Sequence, residues 1–138
     1  MSLSSVVYAT DATGLTAADL EGFFVDWPVR PSAERHLELL GGSDHVVVAR
    51  EGVDGRVIGF VTAISDGVLS AFIPLLEVLP EWQGQGVGTE LVRRIIAELD
   101  ELYMVDLSCD PELEGFYRRF GLTPMTGMGR RRRALLGD

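Results

Sequence analysis

Apolar positions along the chain alternate in some stretches and recur at helical spacing in others. Val6-Val7-Tyr8-Ala9 reads as a short first strand. Thr16-Ala17-Ala18-Asp19 has the form of a helix start, with the Thr16 hydroxyl placed to cap and Asp19 to reach back. Leu20, Phe23 and Phe24 would give that helix its apolar face. A second helix is expected from Pro31-Ser32 to Leu40, with Ala33, Leu37 and Leu40 on one side and Gly41-Gly42 ending it. The middle reads as a meander. His45 to Arg50 is rich in valine, Gly52 to Gly55 makes a turn, and Arg56 to Ile64 is a second strand. Asp66-Gly67 makes the next turn and Val68 to Leu79 a long third strand. Pro74 cannot donate to a ladder, so it predicts an interruption or an exposed edge within that strand.

Gly84-Gln85-Gly86-Val87-Gly88 follows, and then a strongly amphipathic helix whose Leu91, Val92, Ile95, Ile96, Leu99 and Leu102 recur at spacings of three and four. Tyr103 to Ser108 reads as a further strand. Asp110-Pro111 opens another helix, since Asp is a good N-cap and Pro suits the first helical position. Leu113, Phe116, Tyr117 and Phe120 mark its buried face and Gly121 its stop. A last extended piece, Leu122 to Arg133, completes the order βααβββαβαβ. This is an α/β pattern, with antiparallel hairpins before one strand–helix–strand crossover.

Length and composition frame the pattern. At 138 residues one domain spanning 1–138 is the default, and such a chain buries roughly two-thirds of its unfolded surface. The chain is 46% hydrophobic and 24% charged, a globular balance. The longest apolar-rich segment, Val68 to Leu79, is interrupted by Ser70, Pro74 and Glu77, so no membrane span is expected. Met1-Ser2-Leu3-Ser4-Ser5 lacks the basic and apolar regions of a signal peptide, and a cytoplasmic protein is the expectation. Cys109 is the single cysteine, and His36 and His45 are far apart, so neither a disulfide framework nor a metal site is expected.

All twelve basic residues are arginine. Without lysine, neither a P-loop nor a Schiff-base mechanism is possible. Net charge is −9, and four of the arginines are Arg130 to Arg133. The first 129 residues therefore hold 8 arginines against 20 acids, a net of −12. Such a field repels phosphate backbones and argues against nucleic-acid binding, and the arginine run reads as a solvated terminus.

The most informative segment runs from Leu76 to Thr89. A strand enters a turn with three glycines in five residues, and a helix follows. Glycines let a ligand approach the unpaired N–H groups at the helix start, where the dipole favours an anion such as a phosphate. A dinucleotide fingerprint would need a third glycine where Thr89 stands. Asp106 lies near the acidic position of that fingerprint, yet the turn follows a meander rather than the first strand.

Gln83-x-x-Gly86-x-Gly88 after Leu76-x-Val78-x-Pro80 resembles the acyl-CoA motif of the GNAT superfamily of N-acetyltransferases. Phe116-Tyr117-Arg118-Arg119-Phe120-Gly121-Leu122 resembles that family's late signature, and the element order is similar too. The resemblance implies a mixed, mostly antiparallel central sheet with flanking helices. It implies transfer of an acetyl group from acetyl-CoA to a primary amine, with a non-catalytic acyl-CoA-binding domain as the alternative. Amides from Gln85 to Thr89, with Gln83 and Gly84, would hold the pyrophosphate. Leu76, Val78 and their splayed strand edge would pair with the pantetheine arm, the Val78 N–H lying near the acetyl carbonyl. Arg93 and Arg94 could touch phosphates, though solvated surface arginines are the simpler reading.

Tyr117 occupies the family position of the general acid. Two carboxylates are open as the base, Asp106 on the preceding strand and Glu77 beside the pantetheine segment. Asp110 stands where the family often has a cofactor-contacting asparagine, but Asp110-Pro111 reads first as a cap. Cys109 is expected to be inert, its acidic neighbour disfavouring a thiolate. The acceptor-binding regions implied by the resemblance hold Asp11, Asp19, Glu21, Asp26, Glu34 and Glu38, which points to a cationic amine. Edge strands of such a sheet leave a homodimer open.

Overall fold

A computed structural model describes residues 5–137 of the chain. The reading of Met1 to Ser5 as no signal peptide falls largely outside the described residues, which exclude positions 1–4. Five strands form one sheet in the order β1-β2-β3-β4-β5: Val6–Ala9, His45–Glu51, Val57–Ser65, Ser70–Val78 and Met104–Asp106. The first four pair antiparallel and β4 pairs with β5 in parallel. Residues Val57 to Ala63 of β3 are all buried, as a near-continuous apolar run requires when both sheet faces are covered.

Helix α2, Val87–Glu98, covers one face. A methyl group added at Gly59 of β3 would meet Leu91 Cδ1 at 3.0 Å, Glu77 O at 3.2 Å and Val87 Cγ1 at 3.3 Å. The missing side chain therefore sets how closely α2 approaches the sheet. On the opposite face Phe60 packs against Phe23, Phe24 and His36, the last from helix α1, Ala33–Gly42. Ser32 caps α1 as its sequence predicts, its Oγ accepting from the Arg35 N–H at 3.1 Å.

Four expectations are corrected. Thr16 does not open a helix that carries Phe23 and Phe24, because only one 3-10 turn forms, Ala17–Leu20. Asp19 does reach back, its carboxylate accepting from the Thr16 N–H at 2.9 Å. Beyond it the chain turns, and Phe23 and Phe24 are buried from a loop, the nearby Pro28 leaving no room for a long helix. The strands expected at Val68 to Leu79 and Tyr103 to Ser108 are shorter, beginning at Ser70 and ending at Asp106. The Asp66 carboxylate occupies the backbone N–H groups of Val68, Leu69 and Ser70 at 2.8, 2.8 and 3.2 Å, which makes Val68 and Leu69 part of the turn.

The helix expected after Asp110-Pro111 is a 3-10 turn, Pro111–Leu113, followed by the short α3, Glu114–Arg118. Asp110 stands at the cap position, but the Leu113 N–H reaches its backbone carbonyl at 2.9 Å and its side chain makes no cap bond. Finally, Leu122 to Arg133 forms no strand. Its Met125 and Met128 are 78% and 100% exposed, and this Gly- and Arg-rich run has no apolar face to bury. Among the described residues no helix is long and apolar enough to cross a membrane.

Candidate active site

The sheet opens into a fork between β4 and β5. Ser70, Ala71 and Phe72 pair with Met104, Val105 and Asp106, and there the parallel ladder ends. β4 continues to Val78 with its β5-side edge free. The register between β3 and β4 shifts between Thr62 and Ile64, so Ile73 and Pro74 together oppose Ala63. The interruption expected from Pro74 is this β-bulge, in which a proline's missing donor costs little. On the far side Leu79 N–H donates to Ile58 C=O at 2.8 Å. Strand alternation then turns the N–H groups of Val78 and Leu76 toward the open edge. The Gln83 side chain donates to the Val78 carbonyl at 3.0 Å, closing that end of the edge.

The glycine turn continues directly from this edge. Trp82 is 1% exposed and anchors the 3-10 turn Pro80–Trp82, while the Gln85 side chain donates to Glu81 O at 3.0 Å. Gly84 and Gly86 have φ of +75° and +92°, a region that glycine enters without strain. A methyl group at either would meet nothing within 4 Å, so both border open space. Gly86 is the N-cap of α2, and the first intrahelical bond runs from Glu90 N–H to Gly86 O. The N–H groups of Val87, Gly88 and Thr89 precede that bond and are donors left for an anion. Gly88 has a different role, since a methyl there would lie 3.7 Å from Val78 Cγ2.

Two arginines on α2 are already engaged. Arg93 and Arg94 both donate to the Glu90 carboxylate, pulling it down to about 2, and Arg94 lies 4.5 Å over the Tyr8 ring. A third cation, Arg119, escapes sequence reasoning. It donates to the Thr89 hydroxyl at 3.2 Å while stacking on Phe116 and Phe120 at 5.1 and 5.8 Å, so it ties α3 to the start of α2. Its signal was its place in the Phe116–Leu122 motif.

Tyr117 on α3 is 9% exposed, with the Phe116 ring edge-on at 4.9 Å. Burial, with a smaller contribution from Cys109, pushes its hydroxyl up to about 12, so it keeps its proton at neutral pH. Cys109 is exposed, and its thiol is pushed up by desolvation and by Glu114, Asp110 and Glu112, so a reactive thiolate is disfavoured. Asp106 sits at the closed end of the fork, opposite Phe72.

Glu77 lies further along β4, opposite Phe60. Its carboxyl is raised by burial and by Asp26, against hydrogen bonds from the Phe24 N–H (3.2 Å) and the Trp27 side chain. The register gives Phe72, Asp106 and Glu77 the same sheet face, because the bulge rephases the alternation between positions 72 and 77. Roughly 15 Å of strand separates the levels of the two carboxylates. The fork thus gathers Leu76, Val78, Asp106 and the Gln83–Thr89 turn along one edge, with Glu77 turned toward the loop bearing Phe24 and Trp27. Among the described residues no group of three or more His, Cys, Asp or Glu is placed to hold a metal.

Residues 13–122 match the acetyltransferase (GNAT) family. The chain is 48% identical to a candidate acetyltransferase from Deinococcus radiodurans R1, whose crystal structure superposes with a TM-score of 0.91 over 96% of this chain and 92% of that one. It is 35% identical to serotonin N-acetyltransferase 2, chloroplastic, of Oryza sativa subsp. japonica, over 80% of this chain and 58% of that protein. At 19% identity it shares the fold of AAC(6')-Iy in complex with a CoA-S-monomethyl-acetylneamine bisubstrate analog, with a TM-score of 0.63 and coverage of 93% and 98%. The chain spans 37% to 69% of the length of the curated relatives it matches. The chain belongs to the GNAT family of acetyltransferases.

Proposed function

We propose that the chain, as a single domain, transfers an acetyl group from acetyl-CoA to a primary amine by direct attack through a tetrahedral intermediate. The observation that carries this reading is the continuity of one edge. Free N–H groups on β4 lead straight into a glycine turn whose own N–H groups open α2. Gln85 to Thr89 bind the pyrophosphate, with Gly84 and Gly86 leaving room for it and Thr89 held by Arg119. Leu76 and Val78 pair with the pantetheine arm, and their N–H groups are the donors available to an oxyanion on the thioester carbonyl. Gln83 holds the end of that edge in place. Asp110, which follows β5 beside Cys109, is assigned to the cofactor as well.

With the thioester carbonyl at the Leu76 and Val78 N–H groups, Asp106 stands roughly 10 to 17 Å away along the strand. Asp106 takes the proton that the amine nitrogen loses, as it bonds to the carbonyl carbon, through intervening water. The C–S bond then breaks and the thiolate departs. Tyr117 donates a hydrogen bond to that sulfur. An ordinary thiol titrates near ~8.5, well below the Tyr117 hydroxyl at about 12, so complete proton transfer to the thiolate is uphill. Tyr117 therefore stabilises the leaving group chiefly through its hydrogen bond.

The acid-rich first third of the chain, with Asp11, Glu21, Asp26, Glu34 and Glu38, favours a cationic acceptor. The name of the rice relative puts an aromatic primary amine on the same trial list. The test is calorimetric titration with acetyl-CoA, followed by thiol-release assays with spermidine, tryptamine and a lysine peptide. Saturable binding with turnover of an amine supports the reading. Binding without turnover of any amine leaves an acyl-CoA-binding domain, and absence of binding by folded protein overturns the reading.

A further inference from the structure

We infer that Glu77 is a positioning residue, which docks the loop carrying Phe24 and Trp27 onto β4 and so shapes the acceptor side of the cleft. The inference rests on the acetyl-transfer reading for its kinetic consequence, but the docking itself does not. Glu77 Oε1 accepts the backbone N–H of Phe24 at 3.2 Å across 53 residues of chain. Phe24 has φ +62°, the one described non-glycine residue in the left-handed region, which a bulky side chain rarely enters. Three contacts hold it there. Its ring is 2% exposed and packs at 5.0 Å on His36 and 6.0 Å on Phe60, the residue opposite Glu77 in the β3–β4 register. Its carbonyl accepts the Trp27 N–H at 3.2 Å, and the Trp27 ring stacks on it edge-on at 4.9 Å. Its N–H points at the carboxylate.

A carboxylate is suited to this place because it accepts from both sides, the Phe24 backbone and the Trp27 side chain. Removing it would leave a strained, part-buried N–H without its acceptor. A base with its lone pairs committed to loop donors is poorly placed to receive an amine's proton. Asp106 shares the same face at the closed end of the fork and has no such commitment to this loop. Glu77 therefore acts on the acceptor through Phe24 and Trp27.

The experiment compares Glu77→Gln and Glu77→Ala with the unaltered chain. Kinetics use the amine among spermidine, tryptamine and the lysine peptide that turns over fastest. Acrylamide quenching of tryptophan fluorescence reads the loop without needing turnover, because Trp82 is buried and Trp27 supplies the accessible signal. The amide oxygen of Gln can still accept the Phe24 N–H, so Glu77→Gln should keep at least a third of kcat and a near-normal amine KM. Glu77→Ala should raise the amine KM tenfold or more, leave the acetyl-CoA KM within twofold, and make Trp27 more easily quenched. Equal loss of kcat, a hundredfold or more, in both variants with the amine KM unchanged would make Glu77 the base and overturn the inference. Unaltered quenching in Glu77→Ala would overturn it too. If the unaltered chain acetylates none of the amines, quenching alone decides whether Glu77 docks the loop, and the acetyl-transfer reading fails separately.

Discussion

Asp106 stands opposite Phe72 in the last register pair that joins β5 to β4, and beyond that pair the sheet parts. Asp106 therefore marks the closed end of the fork, where the free edges of the two strands begin. The bulge at Ile73-Pro74 matters here, because it returns Glu77 to the face that Phe72 and Asp106 share. The two candidate bases thus differ in depth along the cleft and not in face. Asp106→Asn keeps the shape and removes the proposed base. It should lower kcat by about 10²-fold or more while leaving the acetyl-CoA Kd within twofold by calorimetry. Full turnover in that variant would place the base elsewhere.

Tyr117→Phe removes a hydroxyl and leaves the packing of the ring intact. With Tyr117 proposed to act through a hydrogen bond, kcat should fall roughly 10- to 100-fold, at or below the lower end of the range for a full proton donor. A hydroxyl at about 12 does not ionise in the working range. The pH–rate profile between 6 and 10 should therefore keep its shape in the variant while dropping in height. Loss of an alkaline limb in Tyr117→Phe would mean that the hydroxyl titrates far lower than its burial implies.

Gly86 and Gly88 sit two residues apart in one motif and should respond oppositely to alanine. At Gly86, φ of +92° makes any side chain strained, at a cost of about 1–2 kcal/mol. The added methyl would also project into the open space that the pyrophosphate is to fill. Gly86→Ala should lower the melting temperature and weaken acetyl-CoA binding at least tenfold. At Gly88 the methyl meets Val78 Cγ2 at an ordinary 3.7 Å inside a helix. Gly88→Ala should keep binding within threefold and gain up to about 1 kcal/mol of stability from helix propensity. Calorimetry and thermal melts on the pair decide it, and matching losses in both would contradict the assignment of the space beside Gly86.

Much of this site can be read from the chain, and the part that cannot has a physical reason. The meander, the crossover helix and the glycine turn follow from periodicity and punctuation, which are local. Pro74 signalled an interruption or an exposed edge, since a residue without an N–H cannot donate to a ladder, and the register shift beside it is the interruption. The bulge's consequence, Glu77 and Asp106 on one face, depends on register between strands and no local pattern carries it. Gly59 illustrates the same limit. Inside a valine-rich strand it looks like a weak point, yet it is the place where Val87 and Leu91 descend on the sheet. Phe23 and Phe24 were legible as buried residues but not as a loop, because three contacts from distant elements override their helical spacing. The tail from Leu122 to Arg133 misled for the opposite reason, as an extended run formed no strand without an apolar face to bury.

His36 makes acid stability a measurable property of the core. Both ring nitrogens are buried without a hydrogen-bond partner, and the ring packs against Phe23, Phe24 and Phe60 at 5.4, 5.0 and 4.5 Å. Burial pushes its pKa down to about 4 from 6.5. Between those values the unfolded chain binds a proton that the folded chain refuses, so stability falls as pH drops from about 6.5 to about 4. At pH 5 the loss is about 2 kcal/mol, or roughly 7 °C in melting temperature for a domain of this size. Glu77 works in the opposite sense, since its raised pKa makes the folded state take up a proton more readily as pH falls. Glu90, held at about 2, loses its contribution only below its ordinary 4.5, outside a comparison of pH 7 with pH 5. His36→Leu removes the titrating ring and its two unpartnered nitrogens while keeping an apolar side chain. It should match or exceed the unaltered chain at pH 7 and lose most of the difference in melting temperature between pH 7 and pH 5. Parallel acid slopes for the two proteins would show that His36 is not the group that makes the fold acid-sensitive.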